Sequence, residues 1–79
     1  MEKSEIEERV KHVVAGVLDV DEEMIEPESH FVFDLGAESV QSVELISGFE
    51  AEFALEMDNE KALEVQTVGG AVDFIAQLV

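Results

Sequence analysis

The chain has 79 residues, nearly half of them apolar, and 20 acidic residues against 4 basic ones give it a formal charge of −16 at pH 7. That length allows one small domain, residues 1–79, with an economical core, and the apolar content excludes a disordered acidic tail. The charge argues against nucleic acid or an anionic membrane as a partner and for partners that are basic.

Cysteine is absent. Disulfides and thiolate metal sites are therefore excluded, and any thiol chemistry must come from an added group. Neither a secretory apolar region nor a spanning run is visible, and the opening MEKSEIEERV is charged from its second residue. These features predict a soluble protein without membrane insertion, retained where it is made, which fits a cytoplasm.

Ser4, with Glu7 three residues on, has the pattern of a capping box, so the first helix is predicted to begin after Ser4. Ile6, Val10, Val13, Val14 and Val17 recur at helical spacing as one apolar stripe, and the helix is predicted to stop near Leu18. From Asp19 to Glu38 no period is sustained, and Pro27 and Gly36 break the segment. A loop this long in a compact domain must be pinned, and Met24, Ile25, Phe31 and Leu35 are its predicted apolar anchors. The acidic alternation in DVDEEMIEPESH resembles a calcium loop. Counting from Asp19, however, Met24 stands where glycine is required and His30 where the bidentate glutamate belongs, which excludes an EF-hand. His12 and His30 lack ligand spacing with each other and read as surface or boundary residues.

A second helix is predicted over Ser39 to Phe53, with Ser42, Leu45, Ile46, Phe49 and Phe53 clustered on its core side. Val40 and Val43 fall elsewhere, near Glu44, Ser47 and Ala51. This mixed apolar and acidic strip suits brief docking on a basic surface; two stray surface valines are the plainer alternative. Phe33 is a second docking candidate if the loop leaves it outside, and burial is the competing reading. DNEKALE predicts one short helical turn, and Thr67 is placed to cap a last helix reaching about Leu78, with Val68, Val72, Ile75 and Leu78 inward. Gly69 and Gly70 in its first turn indicate either a close backbone approach or a weak helix start. The fold class is all-α: a small four-helix bundle, three helices long and one short, with a long first loop.

Ser39 needs a reason. A serine opening a helix is commonly a cap. Here a glycine turn at Gly36 presents it at the bundle's tip, and first-turn amides create positive potential suited to a phosphate esterified at its oxygen. A hydrolase triad is not supported, since GAESV lacks the second glycine of a G-x-S-x-G elbow, and no self-contained catalysis is inferred.

Through IEERVKHVV, SHFVFDLGAESVQSVELI, FEAEF and TVGGAVDFI, the chain resembles the acyl carrier proteins. The family's Asp-Ser-Leu attachment motif is represented by Glu38-Ser39-Val40, preceded by Asp34-Leu35-Gly36-Ala37. The resemblance implies that Ser39 receives 4'-phosphopantetheine from coenzyme A through a phosphopantetheinyl transferase. The arm's thiol then carries an acyl chain as a thioester, which accounts for the missing cysteine. It further implies a non-catalytic protein, expected to be a monomer, that delivers fatty-acyl intermediates to biosynthetic enzymes with basic docking surfaces. The second helix is the family's recognition helix, so Glu38, Val40, Val43 and Glu44 would carry partner contact, with Glu50 a lesser candidate. The bundle would also shelter the acyl chain, with Gly48, Gly69 and Ala71 as residues that could leave space. Departures from the family pattern are the longer acid Glu38, the shorter Val40, and Gln41, Ser47 and Ala51 on the recognition helix. These fit a specialised carrier for polyketide, aminoacyl or unusual lipid cargo as the nearest alternative. An unmodified acidic interaction module is the alternative from another class.

Overall fold

The computed structural model describes residues 1–79 and contains four α-helices: α1 (Lys3–Leu18), α2 (Ser39–Phe53), α3 (Asn59–Glu64) and α4 (Val68–Leu78). One 3₁₀ turn, Glu22–Met24, interrupts the loop after α1. The all-α architecture, three long helices and one short, is the one the periodicity predicts. On α1, Ile6, Val10, Val14 and Leu18 are buried at three- and four-residue spacing. They meet Leu45, Phe49 and Phe53 of α2 and Val68, Val72 and Ile75 of α4 in one core, with Val13 and Val17 at its edge. Gly48 lets α1 and α2 close on each other, since a Cβ there would stand 2.7 Å from Val13 Cγ1. Arg9 fastens the far end of the same pair. Its Nε donates to Glu52 Oε2 at 2.7 Å, and its guanidinium lies 4.8 Å from the centre of the Phe53 ring.

The start of α1 departs from expectation. The helix runs from Lys3 with Glu2 in the cap position, so Ser4 lies inside the first turn and the Ser4–Glu7 capping box does not form. At this end Lys3 Nζ reaches Asp73 of α4 at 2.7 Å, a contact across the bundle. The hydrogen bond to Asp73, and then its charge, raise the Lys3 pKa above the ordinary value. A raised folded-state pKa means that the stabilisation is complete below the unfolded pKa and disappears as pH rises through the folded one. Both partners face solvent, so the contribution is small.

In the long loop Ile25 and Phe31 are buried and Leu35 is half-buried, as predicted. Met24 is not an anchor: it is 71% exposed at the end of the 3₁₀ turn, and the next residue, Ile25, takes the inward place. Backbone bonds to the residue before the Thr67 cap and to the first turn of α4 also pin the loop. Phe31 N–H donates to Gln66 O at 2.9 Å, Val68 N–H to Ser29 O at 3.0 Å and Gly69 N–H to Pro27 O at 2.7 Å. An isolated antiparallel bridge joins His30 and Thr67. Of the two readings of the glycine pair, Gly69 shows the close approach, with a Cβ there only 3.0 Å from Pro27 O. Thr67 caps α4 as predicted, its Oγ1 accepting Gly70 N–H at 3.1 Å.

Candidate functional site

The segment that leads into α2 is a closed turn. Asp34 and Leu35 N–H donate to the His30 carbonyl at 2.9 and 3.0 Å, Gly36 N–H to Val32 O at 3.0 Å, and Ala37 N–H to Phe31 O at 2.8 Å. Gly36 has φ 73, a conformation that strains side chains bearing a Cβ, and Ala37 is tucked into the core behind it. His30 secures the turn from inside. Its Nδ1 accepts both Val32 N–H and Phe33 N–H at 3.1 Å, while its own backbone N–H donates to Asp34 Oδ2 at 2.7 Å. The sequence reading placed His30 at a boundary and missed this role. No local pattern signals it, because the Val32 and Phe33 amides are left without backbone acceptors only in the folded turn.

The chain leaves this turn at Glu38, which occupies the cap position of α2, so Ser39 is the first helical residue. Gln41 Oε1 accepts Glu38 N–H at 2.8 Å, and capping therefore falls to Glu38 and Gln41 rather than to the serine. Ser39 is exposed, and its hydroxyl makes no hydrogen bond within the chain. The first intrahelical bond here runs from Ser42 N–H to Glu38 O at 3.1 Å. The amides of Ser39 and Val40 thus lie at the positive end of the helix without helical acceptors. An accessible, unengaged primary hydroxyl backed by helix-end amides fits a phosphate ester at that oxygen.

Along α2 the two faces separate as predicted. Leu45, Ile46, Phe49 and Phe53 are buried and Ser42 is half-buried. Val40 and Val43 are 64% and 55% exposed, beside exposed Glu44, Ser47 and Ala51. Glu38 is also exposed. Glu50 is half-buried, and its Oε2 accepts Met57 N–H at 2.8 Å, so it braces the connection to α3. Phe33, for which both placements were open, lies outside at 84% exposure with its ring 4.4 Å from that of His30.

A cavity of about 170 Å³ lies between the loop, α2, α3 and the inner face of α4. Phe31, Leu45, Ile46, Phe49, Ala62 and Phe74 supply much of its apolar wall, while His30, Ser42 and Gln66 contribute polar groups. Of the three small residues expected to leave space, Ala71 lines it. Gly48 and Gly69 instead serve the close approaches to Val13 and Pro27 described above. His12 is exposed, with Nδ1 3.6 Å from Glu22. No three His, Asp or Glu side chains converge to hold a metal ion, and no helix is long and apolar enough to cross a membrane.

A helical bundle with a free hydroxyl at the head of one helix and an apolar chamber among its helices has room and chemistry for a group joined at that oxygen. The model of a family described as phosphopantetheine attachment site matches residues 8–75, and the chain belongs to that family. It is accordingly a non-catalytic carrier whose prosthetic group is 4'-phosphopantetheine. Carriers of this family are modified by phosphopantetheinyl transferases and interact with biosynthetic enzymes.

Proposed function

We propose that the chain is a type II acyl carrier protein, one carrier domain over residues 1–79, that holds fatty-acyl intermediates as thioesters on an arm attached to Ser39. The observation that carries the assignment of Ser39 is its hydroxyl, exposed and unengaged at the first position of α2 because Glu38 and Gln41 do the capping. The arm supplies the thiol that the polypeptide lacks. Glu38, Val40, Val43 and Glu44 form the contact surface for enzymes with basic docking sites, working in the cytoplasm. Glu50, engaged with the Met57 amide, contributes least.

A fatty-acyl cargo is supported by the apolar cavity, since an apolar chamber of about 150 Å³ accommodates a six-carbon ligand such as benzene. A specialised cargo is favoured instead by Gln41, Ser47 and Ala51, which make the docking face less acidic and less apolar than the family pattern.

Intact mass spectrometry after incubation with coenzyme A and a broad-specificity phosphopantetheinyl transferase tests the attachment site. The expected result is one arm on the wild-type chain and none on Ser39→Ala with helicity retained. An arm on the alanine variant would move the attachment to another residue.

A further inference from the structure

We propose that Phe33 is a docking anchor whose ring enters an apolar recess, rimmed by Arg or Lys side chains, on the phosphopantetheinyl transferase that modifies this chain. The proposal rests on the assignment of Ser39 as the attachment site.

An exposed apolar side chain alone needs no explanation, because folded proteins carry many. Phe33 differs in being both the most exposed large apolar residue of the chain and firmly held. Its N–H donates to His30 Nδ1, its ring lies against the His30 ring, and the turn around it is closed by the bonds from Asp34, Leu35 and Gly36 to the His30 and Val32 carbonyls. Aromatic side chains fix a large contact area through two torsions, and one that is already oriented loses little freedom on binding. Residues of this kind dominate the energetics of many interfaces.

The surroundings define the partner's chemistry. Asp34 and Glu38 are exposed on the same short segment as Phe33. Three of the four basic residues are already paired, Lys3 with Asp73, Arg9 with Glu52 and Lys11 with Glu7. A phenyl ring on a segment that also carries two exposed acids fits a recess with a cationic rim, where a guanidinium can also lie over the ring face.

Proximity selects which enzyme. An enzyme acting on cargo at the end of a flexible arm need not touch the protein next to Ser39, but the transferase must bring its donor within bonding distance of that oxygen. Ala37 N–H bonds Phe31 O at 2.8 Å, folding the turn back onto the segment that feeds Ser39. With two residues of chain on either side of that bond, Phe33 lies within roughly 20 Å of Ser39. A typical interface covers about 800 Å² per partner, a patch roughly 30 Å across, so one footprint has room for both Ser39 and Phe33.

The test measures transferase kinetics, with coenzyme A saturating and the carrier varied, for wild type, Phe33→Ala, Phe33→Trp, His30→Ala, His30→Asn and Glu44→Lys. Phe33→Ala is expected to reach full modification but with the carrier KM raised about tenfold and kcat within about twofold. Phe33→Trp retains the wild-type KM. His30→Ala gives part of the Phe33→Ala effect, and His30→Asn, which restores an acceptor to the turn, recovers it. Added salt raises the KM of wild type and Phe33→Ala by the same factor, whereas Glu44→Lys flattens the salt dependence. An unchanged KM for Phe33→Ala overturns the anchor while leaving Ser39 as the attachment site. A wild-type chain that acquires no arm overturns both.

Discussion

His30 shows how much a single side chain can decide without taking part in chemistry. Accepting two backbone N–H groups requires a bare Nδ1, so the ring proton resides on Nε2, and the imidazole acts as a local substitute for backbone acceptors. Deleting that acceptor leaves two amides of the turn to water. His30→Ala is therefore expected to lower unfolding stability by about 1–2 kcal/mol, read as a shifted urea midpoint with an unchanged slope. His30→Asn, whose side-chain oxygen bonds backbone amides two residues on, is expected to recover most of the loss. An asparagine variant as unstable as the alanine one would show that the imidazole matters through its ring contacts with Phe33 and the cavity. The start of α2 at an exposed Ser39 was legible in the sequence because glycine turn and helix start fall within a few residues. His30 was not, since its function depends on donors that become available only once Phe31 and Gly69 have fixed the loop in space.

Among the elements, the helices that pack along their length were legible and the places where they touch through backbone were not. The stripe on α1, the core side of α2 and the Thr67 cap of α4 follow from local spacing. Lys3 meets Asp73 across the bundle, a partner remote in sequence, and Met24 loses its inward place to Ile25, its neighbour in the chain. Cavity walls depend likewise on tertiary packing, which is why Ala71 was right and the two glycines were not. The cavity in turn yields a test of cargo. Enclosing a hexanoyl group buries methylenes at about 0.8 kcal/mol each, and 1 kcal/mol moves the melting temperature of a domain this size by about 4–8 °C. The hexanoyl-loaded carrier is thus expected to melt at least about 4 °C above the unacylated, arm-bearing form. Ala71→Leu keeps helix propensity nearly constant and puts apolar volume into the chamber. It is expected to leave the unacylated form as stable or more so and to reduce the acyl-induced rise by more than half. Equal rises in both proteins would place the acyl chain elsewhere.

At the scale of the whole molecule the dominant unbalanced term is charge. The formal charge of −16 is carried by a body measuring 27 × 25 × 18 Å. At about 0.01 M salt the Debye length is roughly 30 Å, so every carboxylate repels every other across the full width of the fold. Near 0.15 M it is about 8 Å and only close neighbours interact. The unfolded chain spreads the same charges further apart, so screening relieves the folded state more than the unfolded one. The local ion pairs weaken with salt as well, but they are few and exposed or half-exposed, so each contributes little. Repulsion therefore wins. Raising sodium chloride from about 0.01 to 0.15 M is expected to increase the melting temperature by several degrees. Millimolar magnesium in low salt is expected to give a comparable rise without a discrete stoichiometry, since no side-chain cluster forms a metal cage. Calorimetry across the salt series checks the first expectation, and a magnesium titration followed by isothermal calorimetry checks the second. A melting temperature that fell with salt would mean that the few ion pairs outweigh the repulsion. Saturable one-to-one magnesium binding would mean that some carboxylates rearrange into a site.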